Sequence, residues 1–208
     1  MSEGKVAERP PALFTGISTY QDPKGRYSIR YASDWNEFEL SEERDGVMYA
    51  PPQTGDDPKT WLSIWCTELR TSVVAEDLDL LDKAFAEGLL QLQNLQIEET
   101  SNELISDLIK LERVFTYEED GAVRKRKTWV LYVGKWQIVL IWQGENSEEY
   151  EYWLPMVNYS LWSFNISPAL WFATDRDLAG YGQQVVPPVP TADSATQTPA
   201  SPDPEDDQ

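Results

Sequence analysis

The sequence predicts an α+β fold in which helices lie against an antiparallel sheet. Three observations predict it. Most of the chain falls into short apolar runs separated by turn residues, and two segments instead repeat their apolar residues every three or four positions. The resulting order is strands, helix, four strands, helix, with hairpin signals between consecutive late strands. Nine Trp, ten Tyr and six Phe supply the rings for a sizeable core.

The elements follow in chain order. Residues 1–12, with Pro10-Pro11, read as a loose arm ahead of a domain over 13–165. Tyr27, Ile29 and Tyr31 alternate with Ser28 and Arg30 after the turn Asp22-Pro23-Lys24-Gly25, which predicts a half-buried strand. A strand over 47–49 follows the turn pair Asp45-Gly46. Residues 61–69 are almost continuously apolar, as a strand covered on both faces should be. Cys66 lies there on the parity of Leu62 and Ile64, so its thiol is expected in the core.

Over 75–92 the period changes to that of a helix, with Leu78, Leu81, Phe85, Leu89 and Leu92 on one stripe. Glu76, Asp77 and Asp79 complement the dipole of its first turn. Strands are expected at about 95–99, 108–117, 123–133 and 136–142. Asp120-Gly121 and Gly134-Lys135 join the last three into a meander, and the unbroken apolar run Ile138 to Trp142 marks a central strand. The second helix is expected from an N-cap at Ser147, with Tyr150, Trp153, Leu154, Val157, Leu161 and Phe164 on its stripe. Pro155 falls inside that stripe, where it predicts a kink or a break.

Residues 166–186 form an extension carrying the apolar segment Pro168-Ala169-Leu170-Trp171-Phe172. From Pro187 to Gln208 the chain is proline-rich, acidic and free of aromatics, the composition of a disordered tail.

Composition bounds the chemistry. A single cysteine excludes an internal disulfide and a multi-thiolate metal site, and no histidine is present. Every histidine-dependent base, triad or metal ligand is therefore ruled out. A net charge of −19 opposes binding to nucleic acid or to anionic membrane surfaces. Polar residues at the start and the lack of a long apolar run predict a cytoplasmic protein without membrane insertion. The acidic pairs Asp56-Asp57 and Glu118-Glu119 lack the spacing of a calcium loop, and no phosphate-binding glycine motif or nucleophile elbow occurs. No catalytic residue, cofactor or metal is predicted.

The stretch Tyr20-Gln21-Asp22-Pro23-Lys24-Gly25-Arg26-Tyr27-Ser28-Ile29-Arg30-Tyr31-Ala32-Ser33-Asp34-Trp35 resembles the opening of PsbP-like domains, which share a superfamily with Mog-like Ran-binding proteins. Ala32 stands where those domains usually carry Pro. The segment Trp129 to Trp142 and the helix ending Leu161-Trp162-Ser163-Phe164 are also similar. The resemblance implies an α-β-α sandwich around an antiparallel sheet of about six or seven strands. It implies a role among accessory proteins, some of which assist photosystem II assembly or bind a small GTPase.

Two features suit a protein partner. Arg124-Lys125-Arg126-Lys127 is the one concentrated basic run in an acidic chain, and it serves either to solvate a strand edge or to orient an acidic partner. Trp171 and Phe172 either fold back onto the domain or anchor another protein. The sequence thus predicts a non-enzymatic accessory protein that binds another protein. The alternative is a small-ligand or carbohydrate module using a tryptophan-lined cleft.

Overall fold

The computed structural model describes residues 9–40, 44–52 and 54–171. Seven antiparallel strands form the main sheet: β3 (Asn36–Glu39), β4 (Asp45–Ala50), β5 (Trp61–Glu68), β6 (Gln93–Ile105), β7 (Leu108–Glu119), β8 (Ala122–Val133) and β9 (Trp136–Gly144). Their spatial order is β3-β4-β5-β9-β8-β7-β6, which puts β9 at the centre. That position explains its run of apolar residues. Ile138, Leu140 and Trp142 enter the core on one face, and Val139 and Ile141 enter it on the other.

Helix α1 (Leu78–Leu89) covers one face, where Leu78, Leu81 and Phe85 pack on Ile109, Leu111, Val130, Tyr132, Val139 and Ile141. Helix α2 (Ser147–Ser163) lies on the other face, burying Tyr150, Met156, Val157 and Leu161. A second sheet joins α2 in that layer. It pairs β1 (Ile17–Gln21), β2 (Tyr27–Ala32) and the two-residue β10 (Asn165–Ile166) in the order β1-β2-β10. Tyr27 and Ile29 of β2 are buried with Leu62, Ile64 and Cys66 of β5. The molecule is an α+β sandwich with a seven-stranded centre, as the sequence implied. The three-stranded second sheet was not foreseen.

Several details differ from the sequence reading. Asp45 and Gly46 open β4 and form no turn. A side chain at Gly46 would put its Cβ 1.9 Å from the Ile64 carbonyl oxygen, so glycine is required there for close strand approach. Asp120 and Gly121 do form the expected hairpin turn, with φ of 53° and 75°. Strand β6 extends well beyond 95–99, because pairing with β7 carries polar residues that show no strand pattern of their own. It is a sheet edge, and Glu98, Glu99, Glu103 and two register shifts blunt it against further pairing.

The N-cap of α2 is Asn146, whose side chain accepts from the Glu149 amide at 2.9 Å, and Ser147 is the first helical residue. The helix runs unbroken past Pro155. Met156 and Val157, buried directly after it, hold that turn against the sheet and offset the missing hydrogen bond.

The described part of the N-terminal arm lies along α2. Arg9 pairs with Glu149 and stacks 3.5 Å from the centre of the Tyr152 ring, while Phe14 meets Tyr159 edge-on. At the other end, Ile166 is buried, the Ser167 amide bonds to the Arg26 carbonyl, and Leu170 packs on the core. Residues just past 165 thus complete the domain. The last described element is α3 (Pro168–Trp171).

Candidate functional site

Strand parity divides the basic run on β8 between two environments. Lys125 and Lys127 lie on the α2 face and are committed to carboxylates. Lys125 reaches Glu151 at 2.8 Å and Glu98 at 3.0 Å; Lys127 reaches Glu112 at 2.7 Å. Glu112 also takes Lys110 at 3.1 Å. Burial raises the Glu112 carboxyl, but hydrogen bonds from Lys127 and Lys110 outweigh it and hold the group below its ordinary value. These charges pave the part of the sheet beside α2, and Lys110 sits 4.3 Å above the Trp129 ring.

Arg124 and Arg126 lie on the α1 face. Arg124 is buried, donates to the Glu145 carbonyl at 2.9 Å and lies 3.4 Å from Glu119. Arg126 differs from the other three. Its Nε donates to Gln143 Oε1 at 3.0 Å, and its Nη2 donates to that oxygen and to Tyr117 Oη. Among the described residues no carboxylate lies within ion-pair distance of it. The Trp61 ring centre is 5.5 Å away and the Tyr117 ring centre is 4.6 Å away.

The tryptophans are mostly structural. Trp35 and Trp142 are buried and stacked with centroids 6.1 Å apart. Trp129, Trp136 and Trp153 pack on the α2-side core, and Trp61 and Trp65 pack on the α1-side core. Trp162 does not. It is 91% exposed on the last turns of α2.

The residue after Trp162, Ser163, helps line a shallow groove with Thr19, Ser28, Ile29, Arg30 and Asn165. Tyr159 and Trp162 are three residues apart and so share a side of the helix. The Arg30 guanidinium contacts Tyr159 Oη at 3.5 Å, and the Arg30 amide donates to Ser163 Oγ at 2.8 Å. The end of α2 is thereby fastened to β2, and the outward residues of the second sheet form the groove floor. Neither Trp162 nor Arg30 has a functional role in the sequence reading. The available signal was position, since Trp162 falls between Leu161 and Phe164 on the stripe without sharing its spacing.

Trp171 closes α3, but its side chain and all of Phe172 lie outside the described residues. Among the described residues no group of three or more acidic or thiol side chains is placed to hold a metal ion, and no helix is long and apolar enough to cross a membrane.

No family model matches the sequence, and no curated protein matches it. Solved structures do. One is the solution structure of cyanobacterial PsbP (CyanoP) from Synechocystis sp. PCC 6803, with a TM-score of 0.52 and 11% identity over 77% of this chain and 98% of that one. Another is LpqN, involved in cell envelope biogenesis of Mycobacterium tuberculosis, with a TM-score of 0.50 and 13% identity over 74% of this chain and 91% of that one. The fold is PsbP-like. Neither match bears on the Mog-like branch of the resemblance, and at such identities the likeness concerns fold and not activity.

Proposed function

We propose that this PsbP-like domain is a non-enzymatic accessory protein that binds another protein through Trp162 and the groove beside it. The exposure of Trp162 carries the reading. An exposed indole leaves much of its roughly 150–250 Å² of surface in water, where a partner can bury it. Trp and Arg are also the residues that most often dominate binding energy at interfaces.

The surroundings fit an interface. Thr19, Ser28, Arg30 and Asn165 supply a polar rim next to one apolar anchor. Asn165 lines the groove, and Trp171 and Phe172, which follow it by a few residues in the sequence, are assigned to the same partner on their residue type alone. The ion pairs of Lys125 and Lys127 leave them little free charge for a partner, and orientation by charge passes to Arg30.

The reading is tested by placing a photo-crosslinking amino acid at position 162 in cells of the source organism, with position 80 on α1 as an exposed control. A discrete adduct specific to 162, with its protein then shown to bind purified domain and not the Trp162→Ala variant, supports it. Identical adduct patterns at both positions would count against it.

A further inference from the structure

We propose that Arg126 is the centre of a second binding site, which takes a small monocarboxylate with a flat apolar body. The site is one row across three strands: Trp61 of β5 faces Gln143 of β9, which faces Arg126 of β8. Tyr117 of β7 completes it by accepting from Arg126 Nη2 at its Oη.

Three features make this a receptor for a foreign anion. The first is the chemistry of the partners. A half-buried guanidinium is costly to desolvate, and burial pushes its pKa below the ordinary value. A glutamate at 143 would neutralise it. Gln143 stands there, buried, with its Nε2 donating to the Lys59 carbonyl at 3.1 Å so that Oε1 is turned to Arg126. In a chain with 36 acidic and 17 basic residues, a cation fixed by a neutral amide and a phenol keeps its full charge for something else. Glu119, the nearest acid to Tyr117 at 3.4 Å, is already paired with Arg124.

The second feature is an unused donor. Arg126 Nη1 makes no hydrogen bond among the described residues and is not sealed from solvent. A carboxylate approaching from outside meets a preoriented N–H edge at no reorganisation cost. The third is the wall. Trp61 and Trp65 occupy the same face of β5, with Arg44 held 4.6 Å over Trp65 as a second cation. Ser63 lies between them with a buried, unpartnered Oγ. Indole surface beside a guanidinium suits a flat apolar group carrying an acid. The net charge of −19 selects a monoanion over a dianion, since repulsion grows with ligand charge.

Isothermal titration calorimetry on the full chain at low ionic strength provides the test, with benzoate, acetate and inorganic phosphate as probes. Benzoate is expected to bind saturably, with acetate weaker for want of a body and phosphate weaker for its charge. Arg126→Gln should weaken benzoate binding by about tenfold or more while unfolding cooperatively. Where that variant does not fold, Trp61→Leu should produce the loss for benzoate and leave acetate unchanged. No saturable benzoate heat on the parent protein, phosphate binding tighter than benzoate, or undiminished benzoate binding in a folded Arg126→Gln protein would each overturn the site.

Discussion

Asp22 and Arg26 form a buried, two-pronged ion pair, with Nη2 2.6 Å from Oδ1 and Nε 2.8 Å from Oδ2. Asp22 is 2% exposed and Arg26 is 3% exposed. The Arg26 amide also donates to Asp22 Oδ2 at 3.0 Å, which closes the turn between β1 and β2. The remaining nitrogen, Nη1, reaches Asp45 at 2.6 Å at the start of β4. Arg26 thus ties the second sheet to the main sheet, and its carbonyl accepts from Ser167 at the end of the domain. The Asp-Pro-Lys-Gly signature is therefore more than a turn, since it encodes the clamp between two layers.

Removing one member of this pair leaves the other charge buried. Asp22→Ala should destabilise the domain by about 3–5 kcal/mol, read from urea unfolding. The clamp also sets an acid limit. Burial raises the Asp22 carboxyl, but bonds from the Arg26 side chain and backbone more than offset this and hold it below the usual range. Hydrogen bonds from Arg26, then Lys24, hold Asp45 at about 2. Carboxyls lowered by folding stabilise the native state above their unfolded values near 3.8, and that contribution is lost as pH falls toward 2. The urea midpoint should fall over that interval in the parent and less so in Asp22→Ala; equal slopes would show that other carboxylates control acid unfolding.

What the sequence revealed was what burial patterns encode locally. Ile138 to Trp142 identified the central strand because both faces of β9 are covered. The stripe from Leu78 to Leu89 identified α1 because one face of that helix meets the sheet. The misses share a different cause. Asp45-Gly46 looks like a turn, yet Asp45 is there for Arg26 and Gly46 for the Ile64 carbonyl, both distant in sequence. Strands β1, β3 and most of β6 are exposed edges whose existence comes from pairing and not from apolar pattern. For the candidate sites, residue type was legible and pairing was not. Nothing in Arg124-Lys125-Arg126-Lys127 tells which cation lacks a carboxylate, because Gln143, Glu112 and Glu151 are brought in by the fold.

Gly46 offers a test of strand packing. Gly46→Ala drives a methyl into the Ile64 backbone, which has no flexible end to move aside. A loss of about 1–3 kcal/mol is expected from this overpacking. Thermal unfolding checks it, and an unchanged midpoint would mean that β4 and β5 can separate at no cost.

Cys66 should be inert in the folded protein. Burial pushes its thiol up to about 12, although the charge of Arg26 opposes the shift. The thiolate is the reactive form, so at pH 8 almost none is present and the sulfur is covered as well. A disulfide-exchange reagent should react at a rate set by unfolding, rising steeply with urea. Rapid modification without denaturant would place the thiol at the surface.

Trp142 and Trp162 should separate stability from binding. Trp142 is 1% exposed, stacked on Trp35 and close to Tyr150, so Trp142→Ala should cost about 3–5 kcal/mol through lost contacts and a cavity. Trp162 touches little of the core, and Trp162→Ala should change stability by no more than about 0.5 kcal/mol. The same substitution should abolish capture of the crosslinked partner, and Arg30→Ala should weaken it with a reduced salt dependence. If Trp162→Ala instead unfolded the domain, its indole would be packing against the fold in solution. The exposed anchor on which the proposed interface depends would then not exist.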